Sequence, residues 1–399
     1  MKKRLKIIGI VCVLLLCGSG IIFYMNITRK KTDEKLQAEP PCYNLTVLSP
    51  VTGELAYIGE PAKWAVEYAQ DIINNEGGIN GIPVKVTVLD TEFSTEKVKR
   101  FEKEILKQER FFIGPLDAPG TEAGAEGVVE NGVPNIAAYS YETVREAAAP
   151  YGISYMSDST EGEIEAVKMW KKLNPDIRTV VILASPSDTS QMATAGLLEA
   201  VLSEMDMELL EIIPVELDKN NGMNAVVQAL NSKADGYIFL ARAEEYGLVV
   251  SELRKRGINE GRRITASFSS FENSIVEQNK AALDDTYIWN KFDVKYEGTE
   301  WKKLVQSYQE DHEGKSPDSS VVSDMYNAVM AWRRCIESLD LKPEIKNLEQ
   351  ERQKISEWFY NSSVQAGIQG KYQWIQGKKI SSIYYFQFDE EGNRISVYP

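Results

Sequence analysis

Histidine is almost absent. The chain has 399 residues and one histidine, His312, set in the polar run Glu310-Asp311-His312-Glu313-Gly314. Nothing around it is arranged as a nucleophile, so a Ser-His-Asp or Cys-His hydrolase would rest on a side chain that reads as surface. Cysteine is equally scarce. Of four cysteines, Cys12 and Cys17 lie in an apolar N-terminal run, which leaves Cys42 and Cys335 far apart. There is no Cys-x-x-Cys and no histidine pair, which excludes a Cys-rich zinc site. No Gly-x4-Gly-Lys-Ser/Thr sequence occurs, so there is no phosphate loop of that type. Positive charge is in deficit: 45 Lys and Arg face 59 Asp and Glu, a net charge of -14. That balance argues against a nucleic-acid partner and against broad contact with anionic lipid, both of which need clustered cations. No acid-base dyad, metal cluster or nucleophile is specified, and the chain reads as a protein without catalytic chemistry, metal or cofactor.

What is present begins with Met1-Lys2-Lys3-Arg4-Leu5-Lys6, after which no residue from Ile7 to Thr28 is charged. A run of that length can span a bilayer as a helix. Three fates are open: an uncleaved anchor, a lipoprotein modified at Cys17, and a cleaved secretory signal. Gly18-Ser19-Gly20 suits a lipoprotein, whereas Leu16 before Cys17 and the renewed apolar run Ile21–Met25 suit an anchor. Residues 29–41 are polar and end in Pro40-Pro41, which reads as a spacer holding a soluble domain off the membrane. With no other long apolar run, everything after it is expected on the outer side.

From Leu45 to Pro115 the chain alternates strand and helix. Leu45–Leu48 is apolar, a loop runs from Ser49 to Gly59, and a helix is expected from Pro61 to Asn75. A strand Val84–Leu89, a helix Thr95–Gln108 and a strand Phe111–Ile113 follow, ending at Gly114-Pro115. This is the spacing of a parallel sheet with crossover helices. Ligands of such sheets sit beyond the carboxyl ends of the strands. A second α/β unit starts near Asp158, with buried-strand runs Thr179–Ala184 and Gly236–Ala241. Helical stretches then occupy 300–310, 320–339 and 348–359, and the tail alternates like antiparallel strands at 371–375 and 383–388.

Several ordered elements together resemble a known family. They are Gly53-x5-Gly59, then Asn74-Asn75-Glu76-Gly77-Gly78-Ile79-Asn80-Gly81, Asp90, Ile113-Gly114-Pro115 and Val133-Pro134. Asp324-Met325-Tyr326-Asn327-Ala328-Val329 and Gly367-Ile368-Gln369-Gly370-Lys371-Tyr372 extend the series. The chain resembles the type I periplasmic-type solute-binding proteins of ABC importers, in the branched-chain amino-acid-binding branch, over about residues 45–390. The resemblance implies an α/β fold of two Rossmann-like lobes with parallel central sheets, joined by a multi-strand hinge. Lobe 1 is expected from 43–157 plus 286–360, and lobe 2 from 158–285 plus 361–399.

The resemblance also implies a ligand site between the lobes. After the Gly-Pro, where the family holds a ligand carboxylate with hydroxyls and amides, stand Asp117, Ala118 and Thr121. After the Val-Pro strand stand Tyr139, Ser140 and Tyr141. In the second lobe the matching positions bring Ser190, Arg242 and Phe268, and Tyr57 in the first loop is placed to close over a ligand. The family's serine pair, its aromatic-glycine pair and its acid near Phe268 are missing. Asp117 would repel a carboxylate and accept a cation, while Arg242 would accept an anion, so a polar ligand in reversed placement is an option the residues leave open. The implied function is extracytoplasmic capture of a small polar solute, such as an amino acid, and delivery to an ABC permease. The alternative is a ligand-sensing ectodomain coupled to a signalling partner.

Overall fold

The structure is a computed structural model that describes residues 40–186, 188–216, 222–270 and 273–397, without the side chains of 189, 190, 273 and 274. The apolar N-terminal run, Cys17 and residues 29–39 of the spacer lie outside the described residues. Among the described residues no helix is long and apolar enough to cross a membrane.

Strand β1 (Tyr43–Ser49) is buried on both faces except at Asn44, as expected for a central parallel strand. The helix α1 (Ala56–Asn75) follows, then β2 (Val84–Asp90), α2 (Thr95–Gln108), β3 (Phe112–Ile113) and α3 (Ala118–Asn131). β4 (Asn135–Ala137), α4 (Glu142–Ala147) and β5 (Gly152–Ser154) complete a five-stranded sheet of order β2-β1-β3-β4-β5, parallel throughout. α1 buries Ala62, Ala65, Val66, Ala69 and Ile73, a stripe at helical spacing that faces the core. The expected helix starts at Pro61. The helix instead begins at Ala56 and keeps Pro61 inside it, so Tyr57 stands in the first helical turn and not in a loop. Gly59 on this helix lies against the chain before it: a Cβ there would fall 2.0 Å from the Pro50 carbonyl oxygen.

The second unit runs α5 (Ser159–Leu173), β6 (Thr179–Ala184), α6 (Thr189–Glu204), β7 (Glu208–Pro214), α7 (Met223–Ser232), β8 (Gly236–Leu240) and α8 (Ala243–Lys255). β9 (Ile264–Ala266), α9 (Asn273–Leu283) and β10 (Tyr287–Asn290) follow. The chain then returns to the first lobe with α10 (Thr299–Asp311), α11 (Val321–Ser338) and α12 (Leu348–Tyr360). Trp301, Leu304, Met325, Val329, Trp332, Ile355 and Phe359 of these helices share one core with β1 and α1. β11 (Gln365–Ala366), β12 (Lys371–Ile375) and β13 (Lys378–Ser381) form a small antiparallel sheet, and Tyr372 and Trp374 of β12 enter the same core. Finally β14 (Tyr384–Phe388) and β15 (Arg394–Ser396) complete the second sheet, of order β15-β14-β10-β9-β8-β6-β7.

The lobe boundaries therefore differ from those expected. β10 pairs parallel to β9 and antiparallel to β14, so 287–290 belongs to the second sheet and not to lobe 1. Ile368, Tyr372 and Trp374 of 365–381 enter the lobe 1 core, while Lys378 reaches Asp158 and Glu161 at the start of α5. Alternation in a sequence identifies a strand but not the sheet that it joins, and here each misplaced segment lies beside a crossing. The chain crosses between the lobes three times: after β5, after β10 and between β13 and β14.

Candidate functional site

All three crossings lie at strand ends, and the first two leave carboxyl ends of parallel strands. The carboxyl edges of both sheets are thereby brought to the hinge, and in open α/β sheets that edge is where ligands are held, so the space between them is the candidate site. On the first-lobe side the loop after β3 is shaped by Gly114, whose φ is +97° and whose Cβ would lie 2.2 Å from the Leu48 carbonyl oxygen. Only glycine fits that backbone and that approach.

The loop that follows spends some of its polar groups on itself. Asp117 caps α3: its Oδ1 accepts the Gly120 amide at 2.7 Å, the usual service of an N-cap aspartate. Asp117 is buried, and its Oδ2 has no partner within the described residues. Burial pushes its carboxyl pKa up, with the Gly120 amide pulling the other way. The Thr121 hydroxyl donates to the carbonyls of Pro115 at 3.1 Å and Asp117 at 2.8 Å. Ala118 opens the helix beside Pro119. The three residues follow the carboxyl end of β3, and sequence reasoning did not foresee that Asp117 and Thr121 bond within their own loop.

The expected aromatic contributors separate. Tyr139 is buried, and its hydroxyl donates to Asn135 Oδ1 at 2.8 Å. Its ring packs against Gly152, and burial, followed by the Glu102 carboxylate, pushes the phenol well up. Tyr139 thus braces the end of β4. Ser140 is exposed and donates to the Ala138 carbonyl at 3.3 Å. Tyr141 and Tyr57 are exposed at 59% and 69%, enough free ring to meet a ligand or the opposite lobe. In the second lobe Arg242 precedes α8; its amide donates to Glu245 Oε2 at 3.0 Å and its guanidinium to Oε1 at 2.7 Å, so its charge is already matched. That pairing raises the Arg242 pKa. Ser190 falls in the first turn of α6, and its side chain lies outside the described residues.

Phe268 stands in a short helical turn just after β9. Its ring meets Trp289 edge-on at 5.0 Å, and the Lys291 ammonium stands 4.4 Å from its centroid. Beneath it lies a polar floor that the sequence did not announce. Glu163, on α5 and 2% exposed, accepts the Trp289 indole N–H at 2.6 Å on Oε2. Its Oε1 is buried without a partner within the described residues. Burial raises its carboxyl pKa to about 7, and hydrogen bonds from Trp289 and Ser267 oppose the shift. Gln191 Nε2 donates to Ser269 Oγ at 2.7 Å and Ser267 Oγ at 3.4 Å, so the floor runs from α5 across the ends of β10 and β9 to α6. Gly162 lets the Trp289 ring lie on the helix, since a Cβ there would be 2.4 Å from it. One signal was available: a glutamate inside the apolar period of α5 ought to find a buried donor.

At the hinge, Lys379 of β13 bonds Asp324 of α11 at 2.5 Å and the Tyr155 carbonyl at 3.1 Å, with both side chains buried. Lys291, just after β10, donates to the Ser157 carbonyl at 3.1 Å and to Ser159 Oγ at 2.8 Å. Among the described residues no group of three or more His, Cys, Asp and Glu side chains could hold a metal ion.

Two lobes with parallel sheets, three crossings and strand ends turned to the hinge define the architecture of a type I periplasmic binding protein. The sequence matches the family described as Periplasmic binding protein over residues 43–393, and the chain belongs to that family. No curated protein matches it. Among solved structures it is similar to an amino acid ABC transporter substrate-binding protein from Pseudomonas fluorescens, with 15% identity, a TM-score of 0.67, and 89% of this chain and 95% of that one covered. It is also similar to the branched-chain amino acid transporter substrate-binding protein of Streptococcus pneumoniae in complex with isoleucine, with 17% identity, a TM-score of 0.61, and 90% and 100% covered. A third is a solute-binding protein of an ABC transporter from Rhodopseudomonas palustris in complex with 3,4-dihydroxybenzoic acid, with 14% identity, a TM-score of 0.62, and 87% and 93% covered. At these identities the likeness is one of fold.

Proposed function

We propose that the chain captures a small polar solute, an amino acid or a related compound, between its lobes and delivers it to an ABC importer. It works on the extracytoplasmic side, held at the membrane through its N-terminal segment. The observation that carries this reading is the opposition of two sets of strand carboxyl ends across a three-crossing hinge, in a chain of the periplasmic binding protein family. The mechanism is differential affinity: a ligand touching both walls binds the closed form better and shifts the population toward it. Tyr57 and Tyr141 from one wall and Phe268 from the other are the ring surfaces proposed to meet it, with Ser140 as a polar contact.

A thermal-shift screen of amino acids, their amides and small aromatic acids tests this. A true ligand at 100 times its dissociation constant adds about 2.7 kcal/mol to the unfolding free energy. At least one small solute is expected to stabilise the protein and to be recovered unchanged. A bound compound converted to product would overturn the binding reading, and so would the failure of every solute class to bind.

A further inference from the structure

The first-lobe loop that would ordinarily receive an anionic group spends its threonine hydroxyl on itself and carries a buried carboxyl group, Asp117. The Gly120 amide goes to Asp117, and the Thr121 hydroxyl goes to two carbonyls of its own loop. The cation expected across the cleft, Arg242, is neutralised by Glu245. One cation at the base of the cleft is placed differently. Lys291 is half-buried, and its two hydrogen bonds go to neutral oxygens, the Ser157 carbonyl and Ser159 Oγ. The carboxylates that act on it electrostatically, Asp324 and Asp158, each pair with another lysine. Asp324 is bound by Lys379 at 2.5 Å, and Asp158 lies 3.3 Å from Lys378. Lys291 also contacts the first residue of α5, at the positive end of that helix, where a cation is disfavoured and an anion favoured.

We propose that Lys291 is the anion anchor of the cleft, that the ligand carries a carboxylate or similar group bonded to its ammonium, and that Phe268 packs against the body of the ligand. This rests on the cleft reading of the preceding subsection and deepens it by assigning the ligand's charge. Burial lowers the Lys291 pKa to about 8, Asp324 and Asp158 oppose the shift, and Lys379 adds to it, so the side chain remains mostly cationic at pH 7. An arriving carboxylate completes a pair that desolvation and the helix end otherwise leave unbalanced. Two of the three ammonium N–H bonds go to oxygens, and the third meets only the Phe268 ring, whose centroid is 4.4 Å from the nitrogen, a weaker partner than a carboxylate.

The test uses the full chain in detergent and titrates benzoate, 4-hydroxybenzoate and L-leucine, each beside its primary amide, with chloride as the ionic-strength reference. At least one carboxylate is expected to bind more tightly than its amide. Lys291→Met is expected to weaken that binding by roughly 10- to 100-fold, as for loss of a charged hydrogen bond, and Lys291→Arg to recover most of it. Circular dichroism and the amide affinities of each variant report whether the fold and the rest of the cleft survive. Carboxylates that bind Lys291→Met as tightly as the unaltered chain would overturn the anchor and leave the cleft reading standing. Amides that bind as tightly as acids would do the same. A panel in which nothing binds would remove both.

Discussion

A carboxyl group inside a protein interior is costly when ionised, and two glutamates here carry that cost. Glu163 is buried against Trp289, and Glu102 of α2 is buried against α3, where a Cβ on Gly124 would lie 2.1 Å from its Oε1. Burial raises both to about 7. Because the folded pKa lies above the ordinary value of 4.5, stability from these groups is complete below that value. It is lost as pH rises through about 7. Each site then withdraws up to about 3 kcal/mol, taking 1.36 kcal/mol per pKa unit. Urea unfolding at pH 5 and pH 9 should show the unaltered chain weaker at pH 9, with Glu163→Gln and Glu102→Gln each flattening the difference. Equal pH dependence in all three proteins would refute the assignment.

Asp117 invites a second test at the same scale. Asp117→Ala removes the cap on Gly120 and should cost about 1 kcal/mol, while Asp117→Asn keeps a cap and should cost only a few tenths. If Asp117 also touches ligand, its asparagine variant will change affinity while unfolding almost normally. Tyr139→Phe is the contrasting case. Losing the bond to Asn135 should cost about 1 kcal/mol of stability and leave ligand affinity unchanged, because the ring is inside lobe 1.

At the scale of elements, the sequence revealed strands and helices better than it revealed their partners. β1, β2, β6 and β8 were legible because fully buried parallel strands leave continuous apolar runs, and α2 and α5 because their apolar period is clear. β5 and α4 were not foreseen, since three or six residues leave too short a period to recognise. β10 was visible as a strand but was assigned to the wrong lobe, because its partners β9 and β14 are distant in sequence. The candidate site followed the same rule. Loop positions could be located from strand ends, so Asp117, Tyr139, Ser140 and Phe268 fall at carboxyl edges. Which way each side chain is spent could not, because Thr121, Tyr139 and Arg242 are bonded by near neighbours in sequence, in a loop, a strand and a helix respectively. Glu163 gave no loop signal because it sits on α5, and Lys291 gave none because β10 before it was expected in lobe 1 and not in the second sheet. A consequence belongs to this scale. Gly162→Ala should displace the Trp289 ring and destabilise by about 1–3 kcal/mol, as overpacking does, with the indole fluorescence reporting the shift.

For the molecule as a whole, the question is what the hinge holds fixed while the lobes move. Lys379 ties the third crossing to Asp324 on α11 and to the Tyr155 carbonyl at the first crossing, and Ser157 and Ser381 meet through their hydroxyls at 2.5 Å. Both members of the ion pair are buried, so the pair need not add net stability, but removing one member strands the other charge. Lys379→Met should therefore destabilise by roughly 3–5 kcal/mol, and Asp324→Leu combined with Lys379→Met should recover much of that loss. Urea unfolding of the single and double variants decides it, and a double variant as weak as the single would show that the pair is not coupled. If the pair fixes the crossings relative to one another, closure is a rotation about them rather than a slide of one lobe past the other. Small-angle scattering should then show a smaller radius of gyration on ligand binding in the unaltered chain. The double variant should close to the same final radius with altered affinity, because the stiffness of the hinge has changed and the cleft walls have not. Tight binding with no change in radius would mean that the site is used without closure.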